Sequence, residues 1–233
     1  DATGPARRIA LLLGASDTRA AQAVDVPAVA MARGIGKTRA ERAIYLVAVG
    51  RMARTSLKLA AVALEKNSPR LTPEERATGW ASLAHAASIG LSPDAYNYWQ
   101  RANGVRLTNE QLQWKTRIAL RRGDWKTVRA TIEAMPQAPK NDNAWVYWLG
   151  RADKAEGRVQ EANAAFGRIA SQHNYYGQLA LDELRRHDAE RGLGVGIGGV
   201  GVRVVEFAED LVLADELVER HAPDVALVDI RLG

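Results

Sequence analysis

Three kinds of residue group in this 233-residue chain have the types and spacing to do chemistry. The first would hold phosphate. Gly34-Ile35-Gly36-Lys37-Thr38 has the closing half of a nucleotide phosphate loop, in which backbone N–H groups and a lysine cradle the anion. That loop also needs glycine at position 31, which is Met31, and a strand before it. The preceding residues have helical composition and are interrupted by Pro27, which must break or kink any helix around it. A turn at Gly34 and Gly36, with Thr38 capping the next helix, is the expectation. Gly194-Val195-Gly196-Ile197-Gly198-Gly199 satisfies the dinucleotide pattern literally. It follows a helical segment and precedes a strand-like one, the reverse of the order that sets a pyrophosphate on a helix N-terminus. A linker is expected there.

The second group would be nucleophiles and metal ligands. With no cysteine, thiol nucleophiles, disulfides and cysteine zinc sites are excluded. His85, His173, His187 and His221 show no metal-ligand spacing, and no serine sits in a G-x-S-x-G setting. No cofactor is expected. The third group is aromatic: Tyr96, Tyr98, Trp99, Trp114, Trp125, Trp145, Tyr147, Trp148, Tyr175 and Tyr176. Such rings can stack on sugars or bases. Their helical spacing assigns the tryptophans to packing, Trp114, Trp125 and Trp148 among them. Tyr175 and Tyr176, adjacent at a helix start, are the candidate ligand contacts.

These residues must be positioned by helices. Over residues 1–187 alanine and leucine are frequent, β-branched runs are scarce, and Pro or Gly falls mainly between periodic segments. Helices are expected over 38–54, 57–66, 141–156, 159–170 and 175–186. Thr72-Pro73-Glu74-Glu75 has threonine as cap, proline at the first position and glutamate at the third. Ser92-Pro93-Asp94 reads as the same device. Thr108 with Gln111 is another capping box, Asp124 caps a helix through 132, and Met135-Pro136 ends it. Trp114 and Trp148 open matched phrases, W-x2-R-x-A-L-x2-G-D-W and W-x2-R-A-x3-E-G-x3-E-A. In each, a tryptophan and small residues share one face and a glycine lets the chain reverse. Short connections make neighbours antiparallel, and stacked hairpins bury what no single hairpin can. The expected fold is therefore all-α, a helical hairpin superhelix (solenoid). A strict 34-residue period is not visible, although 155–170 resembles half of a tetratricopeptide unit.

Charge divides the chain. Residues 188–233 hold ten Asp/Glu and four Arg, a net of −6, which leaves +11 on residues 1–187. Three segments are expected: a superhelical domain over 1–187, a glycine-rich linker over 188–201, and a tail over 202–233 with a β-α-β-like order. A basic helical body suits an anionic partner. No apolar run reaches the roughly 18 residues of a membrane span. The first residues read as an amphipathic helix capped by Gly14 rather than a signal peptide, because Leu11-Leu12-Leu13 is too short for its apolar region. The chain reads as a mature or excised segment.

Residues 113–184 resemble the superhelical region of soluble lytic murein transglycosylases, through ALRRGDW (119–125), the Met135-Pro136 stop, AWVYWLGRA (144–152) and YYGQLA (175–180). In that family the solenoid curves around a lysozyme-like domain that cleaves between N-acetylmuramic acid and N-acetylglucosamine. A single glutamate acts there in a Glu-Ser context. The resemblance implies a periplasmic protein whose partners are peptidoglycan glycan strands and other cell-wall proteins, with no nucleic acid among them. This sequence contains no Glu-Ser dipeptide, so no catalytic residue carries over and the chain by itself is not expected to cleave glycan. The expected role is to position strands for a catalytic domain outside this chain; the alternative is a tetratricopeptide-like peptide-binding scaffold.

The last 30 residues resemble a truncated response-regulator receiver domain, through Ala208-Glu209-Asp210 and Pro223-Asp224-Val225-Ala226-Leu227-Val228-Asp229. That resemblance would make Glu209 and Asp210 a metal pair and Asp229 a phosphoacceptor. Only nineteen positions separate Asp210 from Asp229, too few for the receiver's intervening elements. A remnant that is not phosphorylated is the expectation.

Overall fold

The computed structural model describes residues 17–190. Among them are twelve α-helices: α1 (Asp17–Asp25), α2 (Pro27–Ala32), α3 (Arg39–Met52), α4 (Leu57–Asn67), α5 (Pro73–Ile89) and α6 (Ala95–Arg101), then α7 (Asn109–Arg121), α8 (Trp125–Glu133), α9 (Gln137–Lys140), α10 (Asn143–Ala155), α11 (Val159–Ile169) and α12 (Tyr175–Glu190). A single 3-10 turn, Ser68–Arg70, follows α4. No strand occurs among the described residues. The N-terminal amphipathic helix, residues 191–201 of the glycine-rich linker and the receiver-like tail with Glu209, Asp210 and Asp229 lie outside the described residues; residues 188–190, expected in the linker, instead continue α12 to Glu190.

Helix starts are set locally. Thr38, Thr72 and Thr108 each form a complete capping box, the hydroxyl accepting from the N3 backbone N–H at 3.2 Å. Asp124 accepts from Thr127 N and Asp142 from Ala144 N, and Asn174, just before α12, accepts from Gly177 N. The caps that open α3, α5, α7, α10 and α12 therefore fall at 38, 72, 108, 142 and 174. These positions expose a repeat of 32 to 36 residues that residue identity conceals. Each opening helix pairs with the helix after it: α3 with α4, α5 with α6, α7 with α8, and α10 with α11. The expected break at Pro27 is present, with α1 ending at Asp25 and α2 beginning on the proline.

Two expectations are corrected. Ser92-Pro93-Asp94 forms no capping box: Asp94, the residue before α6, is already helical (φ −77°, ψ −12°), so its side chain cannot turn back onto the helix N–H groups. Ser92 Oγ accepts only from Asp94 N. The helix expected from 141 starts two residues later, because Asn141 ends the short α9 and Asp142 takes the cap.

The reversals after α7 and α10 are built alike. Gly123 (φ +64°) and Gly157 (φ +77°) take the left-handed position. The next residues, Asp124 and Arg158, donate back to Ala119 O at 3.0 Å and Asp153 O at 2.8 Å, closing the carbonyls of the preceding helix. After α5 the same 6→1 bond runs from Ser92 N to Ala87 O, and Leu91 (φ +51°) holds the left-handed place although Gly90 precedes it.

Four apolar clusters run along the stack. One small cluster joins α1 to α3 through Ala20, Ala23, Ile44 and Ala48. The largest lies between α3 and α6 around Leu64, Leu83, Trp80 and Trp99. The next two meet at α10, which sends Trp145 into a cluster with Leu112, Val128 and Ile132, and Tyr147 into one with Phe166 and Ile169. Helices α10 and α11 approach closely at Gly150, where an added Cβ would lie 2.6 Å from Phe166 Cε1. Gly150→Ala is expected to cost about 1–3 kcal/mol through overpacking, less up to about 1 kcal/mol of gained helix propensity. Urea unfolding measures it, and a variant more stable than the parent would refute this approach distance.

Candidate functional site

Aromatic rings, cations and one carboxylate form a string across α6, α8, α10 and α12, its two halves joined by the adjacency of Asp124 and Trp125 in the chain. At one end Tyr96 on α6 donates its hydroxyl to Asp124 Oδ2 at 2.9 Å, and the Arg122 guanidinium lies 5.7 Å from the Tyr96 ring. Asp124 is also the cap of α8. Burial alone would raise its carboxyl, but hydrogen bonds from Thr127 and Tyr96 and the nearby Lys115 charge hold it below the usual carboxylate range. The bond to Asp124 in turn raises the Tyr96 phenol.

Trp125 is the first residue of α8, and Arg151 of α10 lies 6.0 Å from its ring. Arg151 also donates to the Tyr147 hydroxyl at 3.0 Å. The buried Tyr147 ring meets Trp148 edge-on at 5.3 Å and Tyr176 at 5.7 Å. Burial pushes the Tyr147 phenol up, with Arg151 acting against it. Tyr175 stands edge-to-face with Tyr176 at 5.2 Å and is 60% exposed. The pair expected at the start of α12 thus divides: Tyr175 faces solvent, while Tyr176 packs against the last core cluster.

Below this end of the string lies a charge cluster that sequence spacing does not reveal. Glu183 of α12 has a side chain only 2% exposed and receives Lys154 Nζ at 2.8 Å and Arg186 Nη2 at 2.9 Å, with Arg151 Nη1 at 3.6 Å. Arg151 and Lys154 come from α10, about thirty residues earlier, so only the α10–α12 packing brings them together.

The six tryptophans pack at different depths. Trp80, Trp99 and Trp145 are buried, whereas Trp114, Trp125 and Trp148 are only half-buried at cluster margins. Arg117 lies between two of the six, 5.1 Å from Trp114 and 5.3 Å from Trp145. Helical spacing marked a packed face but not which ring lies deepest.

The phosphate-loop-like segment takes a structural role. Gly34 has φ +76°, as the turn requires. The N–H groups of Lys37 and Thr38, which a phosphate would occupy, donate to Glu41 Oε2 at 3.0 and 3.1 Å. Hydrogen bonds from the Thr38 backbone and hydroxyl and from Arg19 push Glu41 down to about 2. His85 faces Glu110 at 3.5 Å, yet burial holds its imidazole below the usual range. Asp153 is a carboxyl raised by burial, as a general acid would be, but Arg158 covers it as an ion pair at 3.1 Å, out of line for a hydrogen bond. That pair joins the end of α10 to the start of α11. Among the described residues no three His, Cys, Asp or Glu could hold a metal ion, and no helix is long and apolar enough to cross a membrane.

The described residues form an all-α superhelix. Among solved structures, the chain is similar to an inactive mutant of the lytic transglycosylase Slt from Pseudomonas aeruginosa, with a TM-score of 0.54 and 24% identity, over 77% of this chain and 31% of that one. It is also similar to the 70-kDa soluble lytic transglycosylase in complex with bulgecin A, with a TM-score of 0.52 and 18% identity, over 78% of this chain and 31% of that one. The matched region is thus under a third of the length of either neighbour, and the likeness is one of fold. No protein-family model and no curated protein matches the chain.

Proposed function

We propose that this chain is a superhelical, non-catalytic region of a bacterial peptidoglycan lytic transglycosylase. It positions glycan strands in the periplasm for cleavage by a lysozyme-like domain outside these residues. The observation that carries the reading is the string of rings and cations from Tyr96 through Trp125 and Arg151 to Tyr175. Ring faces take the apolar faces of sugars, and the surrounding cations favour an anionic polymer. The superhelical likeness to two lytic transglycosylases supports the same reading. Absence of a Glu-Ser pair keeps the glycosidic chemistry out of this segment.

The test is co-sedimentation of the full chain with glycan strands stripped of their peptides. Binding is expected, weakened several-fold by Trp125→Ala and by Tyr175→Ala. Since Tyr175 is exposed, its truncation should leave the melting temperature within about 1 °C, in keeping with surface changes of about 0.5 kcal/mol or less. No binding by the parent chain would end the proposal.

A second reading, a tetratricopeptide-like scaffold for a protein or peptide, is favoured by the recurrence of caps at 32 to 36 residues. Capture of a peptide partner without any glycan retention would select it.

A further inference from the structure

Three cations share one buried carboxylate at the α10–α12 contact. Lys154, Arg186 and Arg151 all lie within 3.6 Å of a Glu183 oxygen. Glu183 forms the floor, while the cation side chains remain 39%, 57% and 36% exposed. One negative charge among three positive ones leaves a surplus of two on the solvent side. The neighbouring acid Asp182 does not supply the balance, since it faces Arg185 at 3.8 Å.

The arrangement is rigid as well as basic. Glu183 binds Lys154 through Oε2 and Arg186 through Oε1. Arg151 is held by the Tyr147 hydroxyl, and Tyr147 is locked among Phe166, Trp148 and Tyr176. Holding three like charges together around one carboxylate leaves repulsion that a second anion would relieve, and the exposed donors of lysine and two arginines supply its hydrogen bonds. Exposed Tyr175, joined to Tyr147 through Tyr176, connects this cluster to the aromatic string.

We infer that the Arg151–Lys154–Arg186 cluster over Glu183 is a carboxylate-binding subsite that takes the free carboxylates of peptide stems on the glycan strand. The assignment of the ligand as a stem peptide rests on the peptidoglycan reading above. It adds a second point of attachment: rings take the sugar, and the cation cluster takes the peptide that branches from it. The contact is partly solvated, so its affinity falls as salt rises.

The experiment titrates the full chain with a soluble stem tetrapeptide, alanyl-γ-glutamyl-diaminopimelyl-alanine, by calorimetry at low salt. The same peptide with amidated carboxylates and inorganic phosphate serve as comparison ligands. Saturable binding of the free-acid peptide is expected, with at least tenfold weaker binding after amidation and for phosphate. Lys154→Gln combined with Arg186→Gln should also weaken it about tenfold. Arg121→Gln combined with Arg168→Gln, which removes the same charge elsewhere, should change it less than twofold. The amidated peptide probes the unaltered protein, so the subsite stands or falls on that comparison even where the cluster variant is unstable. No binding of the free-acid peptide, equal binding of its amide, or tighter binding of phosphate would overturn the subsite. Because the strand test uses peptide-free glycan and this one uses glycan-free peptide, failure of the glycan reading and failure of the subsite are read separately.

Discussion

Trp99→Ala is expected to lower the unfolding free energy by about 3–5 kcal/mol, the usual cost of truncating a buried tryptophan. Trp99 is 1% exposed and fills the space between α5 and α6 in the largest apolar cluster. Its Nε1 donates at 2.9 Å to Ser88 Oγ, which donates onward to Ala84 O at 2.7 Å inside α5. Truncation therefore opens a cavity and removes the tie between the two helices of one repeat. Against a typical total stability of about 5–15 kcal/mol, that loss should bring the urea midpoint down sharply. Trp99→Phe keeps most of the volume and loses the N–H donor, so it should recover all but about 1–2 kcal/mol. A loss below about 1 kcal/mol for the alanine variant would mean that this tryptophan does not hold the repeat together. Half-buried Trp125 should cost less than Trp99 when truncated, and its effect should appear mainly in glycan retention.

Glu183→Ala is the second large effect, expected at about 2–3 kcal/mol. Removing one partner of a fully buried ion pair costs about 3–5 kcal/mol; here the three cations are half-exposed, and solvent screens part of their mutual repulsion. Without the carboxylate, Arg151, Lys154 and Arg186 face one another across the α10–α12 contact with no counter-charge beneath them. Added salt should therefore recover part of the loss. Glu183→Gln retains an acceptor and the side-chain volume, so it should be milder than alanine. Chemical denaturation of the three proteins at low and high salt measures these differences. Equal stability of Glu183→Ala and the parent chain would show that the cations separate freely, and would remove the rigid floor from the proposed subsite.

Helix starts were the most legible part of the chain. Thr38, Thr72, Thr108 and Asp124 cap their helices as expected, because a cap needs only a side-chain acceptor and an N–H group two or three positions away. Ser92-Pro93-Asp94 misled for a reason outside its own residues. The left-handed Leu91 and the bond from Ser92 N to Ala87 O close the α5 turn tightly, and Asp94 enters α6 already helical. The repeat was hidden because its caps change from threonine to aspartate to asparagine and its connections vary by a few residues.

Local chemistry in the sequence determined that residues 17–190 are helical, where most helices begin, and that glycines at 123 and 157 turn the chain between paired helices. Each of those features depends on groups only a few positions apart. Tertiary packing alone decided that Trp80, Trp99 and Trp145 are buried while Trp114, Trp125 and Trp148 remain at the margins, since a helical period gives a residue's direction but not the depth of what covers it. It also placed Glu183 beneath cations from a helix about thirty residues earlier. A surface helix can carry arginine, lysine and glutamate in almost any order, and only the contact between α10 and α12 converts them into a site.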